Sequence, residues 1–130
     1  MKEIQVPVSP GELLDKITIL RLKAERMTDA TKLAHVRTEL ALLEKIWIES
    51  GCAIPAVAAD ERALSRVNAE LWDIEDLIRE KEATQTFDRG FIDLARAVYV
   101  TNDERAAIKK RLNLALGSNI VEEKSYRPYR

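Results

Sequence analysis

Two runs of apolar residues recur at alternating spacings of three and four, and a chain carrying them must form helices that pack side by side. Leu33, Val36, Leu40, Leu43 and Trp47 make one run; Leu64, Val67, Leu71, Ile74 and Ile78 make the other. This is the rhythm of a coiled-coil seam, whose apolar stripe is stable only against another helix. An earlier stripe, Leu13, Ile17, Leu20, Ala24 and Met27, has the same character. Ile19 and Leu22 lie on its opposite side, so the first helix is expected to pack on two faces. With 130 residues, 46% hydrophobic, and only four Gly and four Pro, the chain suits a single helix-rich domain.

The helix ends are also marked. Ser9, Pro10 and Glu12 form a capping box at the start of the first helix, and Asp29 is placed to cap the second. "SGCAIP" ends the second, with Gly51 suited to a left-handed terminus. A third helix is expected over about 57–83, and "TQTFDRGF" breaks the pattern after it. A shorter helix with Phe91, Leu94, Ala95 and Val98 inward would follow. Thr101-x-x-Glu104 reads as a second capping box, opening a fifth helix that stops at Gly117. Short connections make neighbours antiparallel. The expectation is a mainly α, four- to five-helix antiparallel bundle over residues 1–125, with 126–130 as a flexible tail. Ile4, Val6 and Val8 alternate in "KEIQVPV", which leaves room for a short N-terminal strand. Such a strand needs a partner, either "SNIVEEK" or a second copy of the chain.

Charge narrows the partners. The 21 basic and 22 acidic residues give a formal charge of −1, so no overall field favours nucleic acid or an anionic membrane. No apolar run approaches the roughly 20 residues that span a bilayer, and the first residues contain no signal-peptide core. Cytoplasmic residence is the expectation. Cys52, the sole cysteine, cannot form a disulfide within the chain.

The polar groups that could carry chemistry fall in three places. Asn102, Arg105, Lys109 and Asn113 follow one another at helical spacing beside Ile108 and Leu112, with Asp103 adjacent. Arginine offers a planar fork for carboxylate or phosphate, and lysine a point charge. Trp72, Glu75, Asp76 and Arg79 form an acidic counterpart on the third helix. Both sets border apolar seams, so Arg105 or Lys109 is expected to meet Glu75 or Asp76 and join the third and last helices. Asp15, Lys16, Thr18 and Lys23 lie along the first helix. The plainer reading of all three is solvated flanks, intrahelical ion pairs and lysine stems covering the core edge. Glu39 and Glu44 are wrongly spaced for a metal site facing the third helix, and His35 stands alone. There is no Gly-rich phosphate loop and no nucleophile elbow. No metal or cofactor is expected, and no catalytic residue is assigned.

Taken together, "IQVPVSPGELLDKITIL", "ELWDIEDLIREKE", "VYVTNDERAAIKKRLN" and the closing "EEKSY" resemble domain-of-unknown-function family 6165. The resemblance spans nearly the whole chain and implies a compact bacterial helical protein. It brings no reaction, ligand or catalytic residue. The residues of these blocks that it brings forward are those already selected: Asp15, Lys16, Trp72, Glu75, Asp76, Arg79, Asn102, Asp103, Arg105 and Lys109.

Two readings of function follow. The first is a non-catalytic interaction or assembly module, expected to be a homodimer or to bind another protein through helix faces and termini. The second is a small all-α enzyme or binding protein for an anionic metabolite, using Arg105 and Lys109. The helical periodicity favours the first. A buried basic-acidic cluster opening onto a pocket would favour the second.

Overall fold

The computed structural model describes residues 2–130. They form α1 (Pro10–Arg26), α2 (Ala30–Glu49), α3 (Ala58–Ala83) and α4 (Arg89–Ala115), with one 3-10 turn at Pro55–Val57 leading into α3. Among the described residues, no helix is long and apolar enough to cross a membrane. At α1 and α2 the N-caps are those the sequence marks, while α4 is capped by Asp88, which it does not mark. The Ser9 hydroxyl accepts the Glu12 N–H at 3.2 Å, and the Asp29 carboxylate accepts that of Lys32 at 2.8 Å. Gly51 and Gly117 take positive φ just beyond their helices.

The expected fourth and fifth helices are one. α4 runs unbroken through "TNDE", and the Thr101–Glu104 capping box does not start a helix. A capping box acts only where the preceding residues leave the helix, and no Gly or Pro between Phe91 and Leu116 lets them do so. The seam also stays in phase: Phe91, Leu94, Val98, Thr101, Arg105, Ile108 and Leu112 alternate by three and four along the whole length. That phase puts Thr101 and Arg105 at core positions. Thr101 is buried and Arg105 half-buried.

Ion pairs give the register of α3 against α4. Asp60 meets Arg111 at 3.0 Å, Arg66 meets Glu104 at 2.9 Å, and Lys81 meets Asp88 at 3.0 Å, so the two helices are antiparallel. α1 packs against all three other helices and runs antiparallel to α4. The core is Leu13, Leu14, Ile17, Trp47, Val57, Leu64, Val67, Ile108 and Leu112. α1 is indeed covered on two faces, because Gly11, Asp15, Thr18 and Leu22 form a second buried stripe. Leu22 is therefore covered by the chain itself and offers no surface to a second copy.

α1 reaches only part of the α3–α4 hairpin. In α3 no residue beyond Asn68 is fully buried, and in α4 none before Thr101 is. Residues 2–8 form neither helix nor strand, so the expected N-terminal β element does not form among the described residues. Ile4 and Val6 remain 73% and 66% exposed, without a ladder partner.

Candidate functional site

Asp15 is the most deeply placed charge in the molecule, at 1% exposure. A carboxylate taken out of water costs several kcal/mol unless its oxygens are satisfied. Here they are. Asn68 Nδ2 donates to Oδ1 at 2.9 Å, Arg105 Nε donates to the same oxygen at 2.9 Å, and Arg105 Nη2 donates to Oδ2. Thr18 closes the set: its hydroxyl donates to the Asp15 carbonyl at 2.8 Å and accepts from Asn68 at 3.0 Å. No buried side-chain nitrogen or oxygen lacks a partner among the described residues. The Asp15 hydrogen bond raises the Arg105 pKa above its ordinary value, against the effect of burial.

One turn along α4, Lys109 faces three carboxylates. Its ammonium lies 2.7 Å from Glu12, 3.0 Å from Glu122 and 3.9 Å from Asp15, and its side chain is only 12% exposed. Burial alone would lower the Lys109 pKa, but hydrogen bonds to Glu12 and Glu122 carry it above the usual lysine value. Glu122 is shared with Lys124 at 2.7 Å, and Lys124 and then Lys109 hold its pKa down to about 2.

Close helix approach makes this arrangement possible. A β-carbon on Gly11 would stand 2.6 Å from the Lys109 carbonyl oxygen, so only glycine lets α1 come this near to α4. The same approach lets the Gly11 N–H, unpaired in the first turn of α1, donate to Asn113 Oδ1 at 2.7 Å.

Arg105 and Lys109 also form part of the wall of an open groove of about 1290 Å³ between α4 and the C-terminal segment. That segment crosses α4 through Glu122 on Lys109, Glu123 on Lys110 at 3.4 Å, and the Tyr129 hydroxyl donating to Asp103 at 2.6 Å. The Tyr129 ring meets Tyr99 edge-on at 4.9 Å, and the bond to Asp103 raises the Tyr129 pKa.

A family model matches residues 4–129, that of DUF6165, a family of unknown function. The chain belongs to this family. No curated protein and no solved structure matches it. In this DUF6165 chain the block that opens α1 and the block at 98–113 of α4 supply the cluster. The block "ELWDIEDLIREKE" stands apart from it.

The structure thus redistributes the expected site residues. It brings together Asp15, Arg105 and Lys109, with Asp103 and Asn102 on the groove wall. Lys16 turns away to Glu39 on α2, at 3.8 Å. Glu75 pairs with Arg79 along α3 at 3.1 Å, and Trp72 lies under the Arg26 guanidinium at 5.7 Å. No ion pair links Arg105 or Lys109 to Glu75 or Asp76 among the described residues, so the expected α3–α4 charge junction is not formed. The register explains this: it sets Arg105 level with Ser65, ten residues from Glu75, or about 15 Å along the helix.

The sequence marks Glu12 only as part of a capping box, and it does not mark Asn68 or Glu122 as site residues. The Glu12 carboxylate goes to Lys109 rather than to capping. Asn68 follows a core valine and borders the seam, a faint signal of a buried polar partner. Glu122 opens the closing "EEKSY" block, but nothing in the sequence signals its contact with Lys109.

Proposed function

We propose that this protein binds a small anionic metabolite in the groove beside α4, through Arg105 and Lys109. The observation that carries the reading is a pair of neighbouring cations on the groove wall, of which Arg105 is held rigid from behind by buried groups. Asp15 and Asn68 fix the Arg105 fork, leaving its Nη1 with no hydrogen bond among the described residues. A guanidinium locked this way loses little entropy on meeting a carboxylate or phosphate. Lys124, Arg127 and Arg130 add charge on the facing segment, and Tyr99 and Tyr129 add aromatic surface. The test is a thermal-shift screen against phosphorylated and carboxylated metabolites. At least one class should raise the melting temperature of the native chain and leave that of Lys109→Met unmoved. A complete panel without effect on the native chain would contradict the reading.

A second reading, an interaction module that pairs as a homodimer, is supported by the outer half of the α3–α4 hairpin. Its seam is only partly covered, and Leu77, Phe87 and Ile92 are about half exposed, at 48%, 54% and 48%. Two such hairpins could complete one four-helix seam. Light scattering at micromolar concentration should then give twice the 14.8 kDa chain mass. A species of 14.8 kDa alone would refute it.

A further inference from the structure

The groove wall is nearly balanced in charge. It carries five basic residues against four acidic ones, so an incoming anion must take the place of a carboxylate already present. Of the carboxylates on Lys109, those of Glu12 and Asp15 stand on α1, whose backbone is packed against α4, and Asp15 is itself buried. Glu122 alone sits on non-helical chain, with 43% of its side chain exposed. The rest of its segment is held mainly by exposed polar contacts at Glu123 and Tyr129, while Tyr126 is 78% exposed. Glu122 is the carboxylate that can leave.

We infer that the Glu122 side chain is an internal stand-in for the ligand's anionic group. The site accepts a carboxylate or phosphate on Lys109, where the Glu122 carboxylate now lies, and its arrival frees residues 121–130 from α4, Lys124 leaving with them. This rests on the anion-binding reading and specifies it. The ligand class follows from the contacts that stay on α4: the Lys109 ammonium, now 3.0 Å from the Glu122 carboxylate, with the free edge of the Arg105 guanidinium on the same wall. The segment then serves as both competitor and strap.

The test uses the full chain, native and Glu122→Gln, titrated separately with inorganic phosphate and with succinate at constant ionic strength. Amide and side-chain NMR shifts at Arg105 and Lys109 report binding, and heteronuclear relaxation of 121–130 reports the strap. The glutamine variant should bind the preferred anion about tenfold more tightly or better, with its strap already mobile. The native strap should become mobile at saturation. Phosphate and succinate arms identify which anion the position prefers. Glu75→Gln, which touches only Arg79 on the far part of α3, should leave both readouts as in the native chain. Equal or weaker binding by Glu122→Gln, or a native strap still docked at saturation, overturns the inference while leaving the anion site standing. A mobile strap in Glu122→Gln with neither anion bound by either protein overturns the anion site as well.

Discussion

Two arginine–carboxylate pairs, one at each end of the α3–α4 hairpin, have the same chemistry and opposite circumstances. Arg105 meets Asp15 on another helix, with the aspartate side chain 1% exposed and the arginine side chain 28% exposed. Arg79 meets Glu75 four residues back on its own helix, 79% and 51% exposed. What separates them is α1, which covers the hairpin only from about Asn68 and Thr101 inward. Where α1 lies, a charge at the seam must be matched and becomes part of the architecture. Beyond it, a charge is a solvated flank, worth about 0–1 kcal/mol as a pair.

The largest expected effect that sharpens this contrast is Arg105→Ala. It strands a buried carboxylate with Asn68 as its only side-chain donor, and should cost about 3–5 kcal/mol in urea denaturation. A loss below about 1 kcal/mol would place Arg105 in the same class as Arg79. Gly11→Ala should follow, at about 1–3 kcal/mol, because its methyl would meet α4 backbone. Asn68→Leu, removing a donor from Asp15 and from Thr18, should cost about 1–3 kcal/mol in the same assay.

Acid separates the regions in another way. The Glu122 pKa is lowered from 4.5 to about 2, so its hold on Lys109 is complete above the unfolded value and is lost as pH falls through the folded one. Strap relaxation measured by NMR should therefore loosen between about pH 4.5 and 2. In Glu122→Gln that transition should vanish. The smallest effect is Glu75→Ala, which should shift the urea midpoint by less than about 0.5 kcal/mol in equivalent free energy.

The apolar rhythm was enough to read α1, α2 and α3, because their seams and caps agree locally. α4 was misdivided because Thr101, Asn102, Asp103 and Glu104 have the side chains of a helix start. Only their partners elsewhere, Tyr129 for Asp103 and Arg66 for Glu104, explain them inside a helix. The spacing from Phe91 to Leu112 already contained the continuous helix, and it placed Arg105 in the seam. The site was half legible for a related reason. Helical spacing shows which residues share a face, so the Arg105 and Lys109 stripe could be read. Which helix that stripe meets depends on packing, and on the close approach at Gly11 that gives α1, rather than the middle of α3, to Arg105.

A pair of double-mutant cycles tests the central claim, that α1 converts one of two similar ion pairs into a structural anchor for the groove. Asp15→Asn with Arg105→Met should give a coupling above about 2 kcal/mol, whereas Glu75→Gln with Arg79→Met should stay within about 0.5 kcal/mol. Equal couplings, or an Arg105 that couples to Glu75 more strongly than to Asp15, would contradict it.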